Sequence, residues 1–324
     1  YDMGNRLNFT TSEDYENWFK RVQGYTQNVR NSLKNNKEGL TLGYTQPKLV
    51  TRQVAAQIGA LLDKDLENHP YLTIFKGSSE VMSETDSNDL LDRVKTHIQE
   101  ELNPAYQALY DFLVNDYLPN SRDSVGISDV PGGKEWYEYL ARYHTTTDLT
   151  PDEIHEIGLS EVARIRAEME EVIESVGWEG DFRSFLEFLR TDPQFYYETG
   201  EELLQAYRAM SKEIDMYMPT LFNKLPRAPY GVIPIPMESA PYTTTAYYNS
   251  PSAGRPGYYY ANLYQPETRP KYEIPVLSVH EAVPGHHHQI ALAQELENVP
   301  KFRNYLSFTA FVEGWGLYSE QLGE

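Results

Sequence analysis

Seven prolines fall between residues 226 and 257, at Pro226, Pro229, Pro234, Pro236, Pro241, Pro251 and Pro256, and no helix survives that density. The stretch splits a chain that otherwise carries helical periodicity. Tyr15, Trp18, Phe19 and Val22 share a face over 11–35; Val50, Val54, Ile58, Leu61 and Leu62 do so over 46–63. Residues 64–87 read as loop with one short element. Periodicity returns over 88–117, with Pro104 expected to break the helix or open a new first turn. A loop at 118–131 and a short helix at 133–143 follow. Thr150-Pro151-Asp152-Glu153 combines an N-cap Thr, a Pro in the first helical position and a capping-box Glu, and predicts a helix to about Val176. A short helix covers 182–189, and Thr199-Gly200-Glu201-Glu202 opens another to about Leu225. Val232–Met237 within the Pro-rich stretch and Tyr258–Leu263 just after it read as strands from their β-branched and aromatic content. Residues 271–297 and 301–322 return to helix. The fold class is therefore mainly α, with a small β element ahead of the last helices. Residues 1–225 are expected to form a helical domain and one cleft wall, and 226–324 the Pro-rich and β segment with the closing helices, in one continuous unit.

Several function classes drop out on composition. A formal charge of −20 argues against nucleic acid and against an anionic membrane surface, both of which need clustered Lys and Arg. The chain has no cysteine, so neither disulfides nor thiol chemistry enter. No apolar run reaches the roughly 20 residues of a membrane span. The chain opens on Tyr1 rather than Met and stops just after a helix, which reads as a trimmed or processed product. A periplasmic or secreted location is favoured over a cytoplasmic one. Nothing in the sequence sets the oligomeric state.

Four of the eight histidines sit in His280-Glu281-Ala282-Val283-Pro284-Gly285-His286-His287-His288-Gln289. A hydrolytic zinc needs about three protein ligands, an open position, and a carboxylate to take a proton from water. In the familiar helical pattern the second His lies four residues after the first. Here position 284 is Pro, and His286 is six residues on, about 240° around an ideal helix. Pro284-Gly285 can bulge the helix and return His286 to the face of His280. His287, seven residues on, has the right face but lies about 10 Å along the axis, and is the second choice. Glu281 is then the candidate general base. Glu313, 27 residues past His286, is the candidate third ligand on a returning helix. Glu320, one heptad later, shares its face and is placed to hold a ligand His. Tyr258, Tyr259, Tyr260 and Asn262 lie on the strand before the cluster, where an edge strand can pair with substrate backbone and a Tyr hydroxyl can donate to an oxyanion. Tyr247, Tyr248, His144 and Arg255 are further cleft candidates, Tyr318 a further substrate candidate, and His155 reads as structural.

At these residues the chain resembles the bacterial domain-of-unknown-function 885 family, in the gluzincin-like clan of zinc metallopeptidases. The family signature H-E-A-x-P-G-H-H-x-Q stands at 280–289, and F-V-E-G-W-A-L-Y is matched by Phe311-Val312-Glu313-Gly314-Trp315-Gly316-Leu317-Tyr318. The resemblance also covers 143–151, 188–193 and 255–263. It implies a gluzincin-like helical fold, a Zn2+ cofactor held by His280, His286 and Glu313, Glu281 as base, and a family member longer than this chain. Two departures, His288 for Leu and Gly316 for Ala, are expected to touch no ligand. The expected activity is hydrolysis of short peptides, carboxypeptidase-, dipeptidase- or oligopeptidase-like. Its rivals are amide or ester hydrolysis of a non-peptide, and non-catalytic metal or peptide binding.

Overall fold

A computed structural model describes residue 7 and residues 9–252 and 254–323. The chain forms two compact units, Tyr1–Tyr137 and Glu138–Glu324, so the 225/226 boundary lies inside the second.

The first unit is helical. α1 (Ser12–Leu42) starts with a capping box in which Thr11 and Asp14 satisfy each other's backbone N–H, and α2 (Lys48–Leu62) follows. The 64–87 region holds short 3₁₀ turns at Leu66–Asn68 and Pro70–Glu80. The long periodic stretch is one column: α3 (Glu84–His97), a π turn (Ile98–Leu102), α4 (Asn103–Phe112), a second π turn (Leu113–Tyr117) and α5 (Leu118–Asn120). Pro104 does not break it. The wider turn before α4 carries the ladder past the proline, with the Asn103 N–H reaching back to the Ile98 carbonyl. Tyr15, Trp18, Val22, Val94, Ile98 and Leu102 are almost wholly buried in the core, and the four aliphatic side chains contribute about 1.5–3 kcal/mol each of transfer free energy.

Beyond α6 (Gly133–Thr145), the second unit begins its run of helices with α7 (Pro151–Ser175), started by the expected Thr150–Glu153 capping box. α8 (Phe182–Thr191) and α9 (Gly200–Asp215) follow. The α9 helix ends ten residues short of the expected Leu225, and Pro219 lies in the separate turn α10 (Met218–Leu221). The Pro-rich stretch and the residues just after it form a three-stranded sheet, β1 (Tyr230–Pro234), β2 (Ala246–Asn249) and β3 (Gly257–Ala261), in the order β1-β3-β2. β3 is parallel to β1 and antiparallel to β2. Sequence reading missed β2 and placed β1 about two residues late. One sheet face carries Val232, Ala246, Tyr259 and Ala261, which pack with Leu203, Tyr207, Ile274 and Ala282. The other carries Tyr247, Tyr258 and Tyr260, beside Ile235 and Ala240. The expected 271–297 helix is two helices, α11 (Glu273–Glu281) and α12 (His286–Gln294). The 301–322 helix is likewise two, α13 (Lys301–Tyr305) and α14 (Thr309–Leu322). No helix among the described residues is long and apolar enough to cross a membrane.

Candidate metal centre

The break between α11 and α12 brings His280 and His286 together. Ala282 leaves the helix at φ −100°, ψ −105°, the Val283–Pro284 bond is cis, and Gly285 stands at φ −71°, ψ −130°. The Gly285 N–H donates to the Val279 carbonyl six residues back at 2.9 Å, and the His287 N–H to the Ala282 carbonyl five back at 3.0 Å. A regular helix reaches back four, so the turn takes up the surplus residues. The interruption anticipated at Pro284-Gly285 is thus a full break rather than a bulge in one helix. Gly285 is required: a Cβ there would stand 1.9 Å from the His280 carbonyl oxygen. Trp315 of α14 closes the turn from outside, its indole N–H donating to the Pro284 carbonyl at 2.7 Å.

α14 packs against α11 and α12 and brings Glu313 to both imidazoles. Glu313 Oε2 lies 3.6 Å from His280 Nε2 and 3.6 Å from His286 Nε2. The two rings stand nearly perpendicular, at 86°, with centroids 4.6 Å apart. One ligand atom from each of the three residues lies within 4.8 Å of the others. Donors bonded at 2.0–2.1 Å to one tetrahedral ion are about 3.4 Å apart, so this set fits zinc with small adjustments. Glu320 Oε1 lies 2.7 Å from His280 Nδ1. That contact keeps the proton on Nδ1 and leaves Nε2 free to ligate. Burial, helped by His280 and opposed by Glu313, lowers the His286 pKa and keeps its ring neutral, the ligating form. Glu313 remains about half exposed, so the cluster is open to solvent on that side.

Glu281 is buried, and its Oε2 has no hydrogen-bond partner. Burial pushes its carboxyl up to about 7; His280 opposes that rise and Glu313 adds to it. Gly316 lies directly on the His280 ring, where a Cβ would come within 2.5 Å of Cε1 and 2.7 Å of Nε2. This corrects the expectation that the Gly-for-Ala departure touches no ligand.

None of the other candidates belongs to the cluster of three donors. His287 faces the sheet: Nδ1 is 2.8 Å from the Tyr248 hydroxyl and Nε2 3.0 Å from the Ala228 carbonyl. Burial pushes its pKa down to about 4. His288 is buried with its ring 4.4 Å from that of Phe222. Tyr258 and Tyr260 point to the sheet face opposite the one packed on α11, with Tyr260 stacked on Tyr247 at 4.7 Å. β3 is the central strand, so its backbone is already paired on both sides and cannot take a substrate strand. Tyr259 faces α11 but is fully buried against Tyr207. Asn262 is wholly buried and ties a loop, donating to the Ala240, Thr243 and Thr244 carbonyls and accepting from the Tyr264 N–H. Tyr318 is exposed, its ring 5.8 Å from that of Trp315. Arg255 is held by the Ser250 carbonyl at 2.7 Å and lies over the Tyr258 ring, His144 sits 3.3 Å from the Thr309 hydroxyl, and His155 is exposed on α7. Trp315 went unnoticed as a site residue, because its bond to Pro284 joins positions 31 residues apart.

A family model described as "Bacterial protein of unknown function (DUF885)" matches residues 1–324. A crystal structure described as that of "the putative lipoprotein from Colwellia psychrerythraea" is similar, with a TM-score of 0.90 and 27% identity over 99% of this chain. This chain spans 56% of that protein's length. No curated protein matches significantly.

Proposed function

This chain belongs to the DUF885 family of bacterial proteins of unknown function, and from that premise we propose that it is a zinc-dependent hydrolase of the gluzincin-like clan that cleaves peptide bonds of short peptides. The observation that carries the reading is the convergence of His280, His286 and Glu313 within 4.8 Å, beside a buried carboxyl that holds no hydrogen-bond partner on one oxygen. A bound zinc ion would supply Lewis acidity, polarising the scissile carbonyl and acidifying water. Glu281 takes the proton of the attacking water and passes it to the leaving amine. His280 and His286 would hold the ion through Nε2, and Glu313 through its carboxylate. Glu320 keeps His280 in the ligating tautomer. Two neutral imidazoles and one carboxylate leave a net positive charge when zinc is bound, suited to a developing oxyanion.

The reading includes placement outside the cytoplasm, supported by the lipoprotein description of the Colwellia structure. It also includes membership of a longer polypeptide, supported by the 56% coverage of that protein. Glu281→Gln tests the core of the proposal. The variant should bind zinc as wild type does and lose about 10²-fold or more of its turnover on a short-peptide library. Undiminished turnover in the variant contradicts the assignment of the base. A wild-type protein that cleaves esters or non-peptide amides but no peptide contradicts the substrate class.

A further inference from the structure

His287 neighbours a ligand, yet both of its ring nitrogens are engaged away from the three donors. The Ala228 carbonyl can only accept, so Nε2 carries the proton and donates to it at 3.0 Å. Nδ1 is then bare and accepts from the Tyr248 hydroxyl at 2.8 Å. The ring thus joins the first turn of α12 to β2 on one side and to the run into β1 on the other. At the far end of α12, Glu295 accepts the Arg227 and Ala228 N–H groups at 2.8 and 3.1 Å. The helix therefore grips one short segment at both ends.

The sheet makes room for this contact. Gly257 opens β3, and a Cβ there would stand 2.5 Å from the Tyr248 hydroxyl and 2.8 Å from His287 Nδ1. Any side chain at 257 would displace the Tyr248–His287 bond. A glycine inside a central strand weakens the strand, so its presence here is matched to the close approach it allows.

Resting on the zinc reading above, we propose that His287 is a positioning residue for the metal centre, setting the rotation of α12 so that His286 faces His280 and Glu313. Successive helical residues are about 100° apart, so anchoring His287 against the sheet fixes where His286 projects. The anchor matters at this point because α12 begins at His286 itself, straight out of the turn, with no preceding helical turn to hold it.

The test is zinc binding by competition with a chromophoric chelator, together with the visible spectrum of the cobalt-loaded protein. His287→Phe, Tyr248→Phe and Gly257→Ala are compared with wild type, with folding checked by circular dichroism. His287→Phe and Gly257→Ala should weaken zinc binding about 10- to 100-fold and shift the cobalt bands. Tyr248→Phe should do so to a smaller extent. His287→Gln, whose amide can donate to the Ala228 carbonyl, should recover part of the affinity. Should His287→Phe fail to fold, Gly257→Ala and Tyr248→Phe decide the matter. Wild-type affinity and an unchanged cobalt spectrum in the folded variants overturn the proposal while leaving the zinc reading intact. A wild-type protein that binds no zinc overturns the zinc reading itself.

Discussion

At the scale of single residues, the proposed metal centre depends on close contacts around the His280 ring. Glu320 pairs with His280 Nδ1 at 2.7 Å, and Gly316 leaves space for the same ring. Glu320→Gln should weaken zinc binding about tenfold in a chelator competition, since a carboxylate partner raises the basicity of the ligating nitrogen. Gly316→Ala presses a methyl group against the ring that Glu320, one turn further along α14, holds through Nδ1. It should weaken zinc binding several-fold, and Glu320→Gln combined with it should be less than additive because both act through one ring. Away from the centre, His69 is almost wholly buried with no partner for Nε2, stacked on Tyr71 at 5.3 Å. Burial pushes its pKa from 6.5 down to about 4. The unfolded chain then binds this proton more readily than the folded one, so stability is fully present above about pH 6.5 and falls as pH drops toward 4. The drop in pKa corresponds to about 3 kcal/mol. His69→Asn should flatten the pH dependence of unfolding in that window, and an unchanged slope would remove His69 as its cause.

At the scale of elements, the turn at 282–285 decides whether α11 and α12 share a site. Gly285→Ala sets a Cβ against the His280 carbonyl and should cost upward of about 3 kcal/mol, with zinc binding lost along with it. Retention of wild-type stability by that variant would mean that the turn has another conformation open to it. Helix starts were the most legible elements, because a capping box is complete within four residues. Thr11–Asp14, Thr150–Glu153 and Thr199–Glu202 all form one, though only the last two were read as such from sequence. The need for a distortion between His280 and His286 was legible too, since it followed from a count of six residues and a Pro-Gly pair. Its form was not, because the carbonyl partners of Gly285 and His287 depend on how α14 closes the turn. β2 escaped notice for a related reason. Ala246-Tyr247-Tyr248-Asn249 has no alternating pattern of its own and is a strand through pairing with β3. The same pairing made β3 central, which removed Tyr258 and Tyr260 from the substrate edge assigned to them.

For the molecule as a whole, the three clustered donors all come from α11, α12 and α14 of the second unit. Zinc should therefore stabilise the second unit selectively, by about 2.7 kcal/mol at a free concentration a hundredfold above its Kd. Calorimetry with zinc and then with chelator should show one transition moving up and returning, and a uniform or absent shift would contradict a site confined to this unit. The mainly helical class was readable from periodicity and proline density. That His280, His286 and Glu313 come together was readable because ligand chemistry limits which residue types serve, while the contacts of Trp315, Gly316 and Gly257 required the packed structure. The central claim is a metal ion held by His280, His286 and Glu313, and an anomalous difference map collected at the zinc edge from crystals of the zinc-loaded protein tests it most directly. A single peak about 2.0–2.2 Å from both Nε2 atoms and a Glu313 carboxylate oxygen is the expected result. A peak at His287, at another site, or at none of these residues would contradict it.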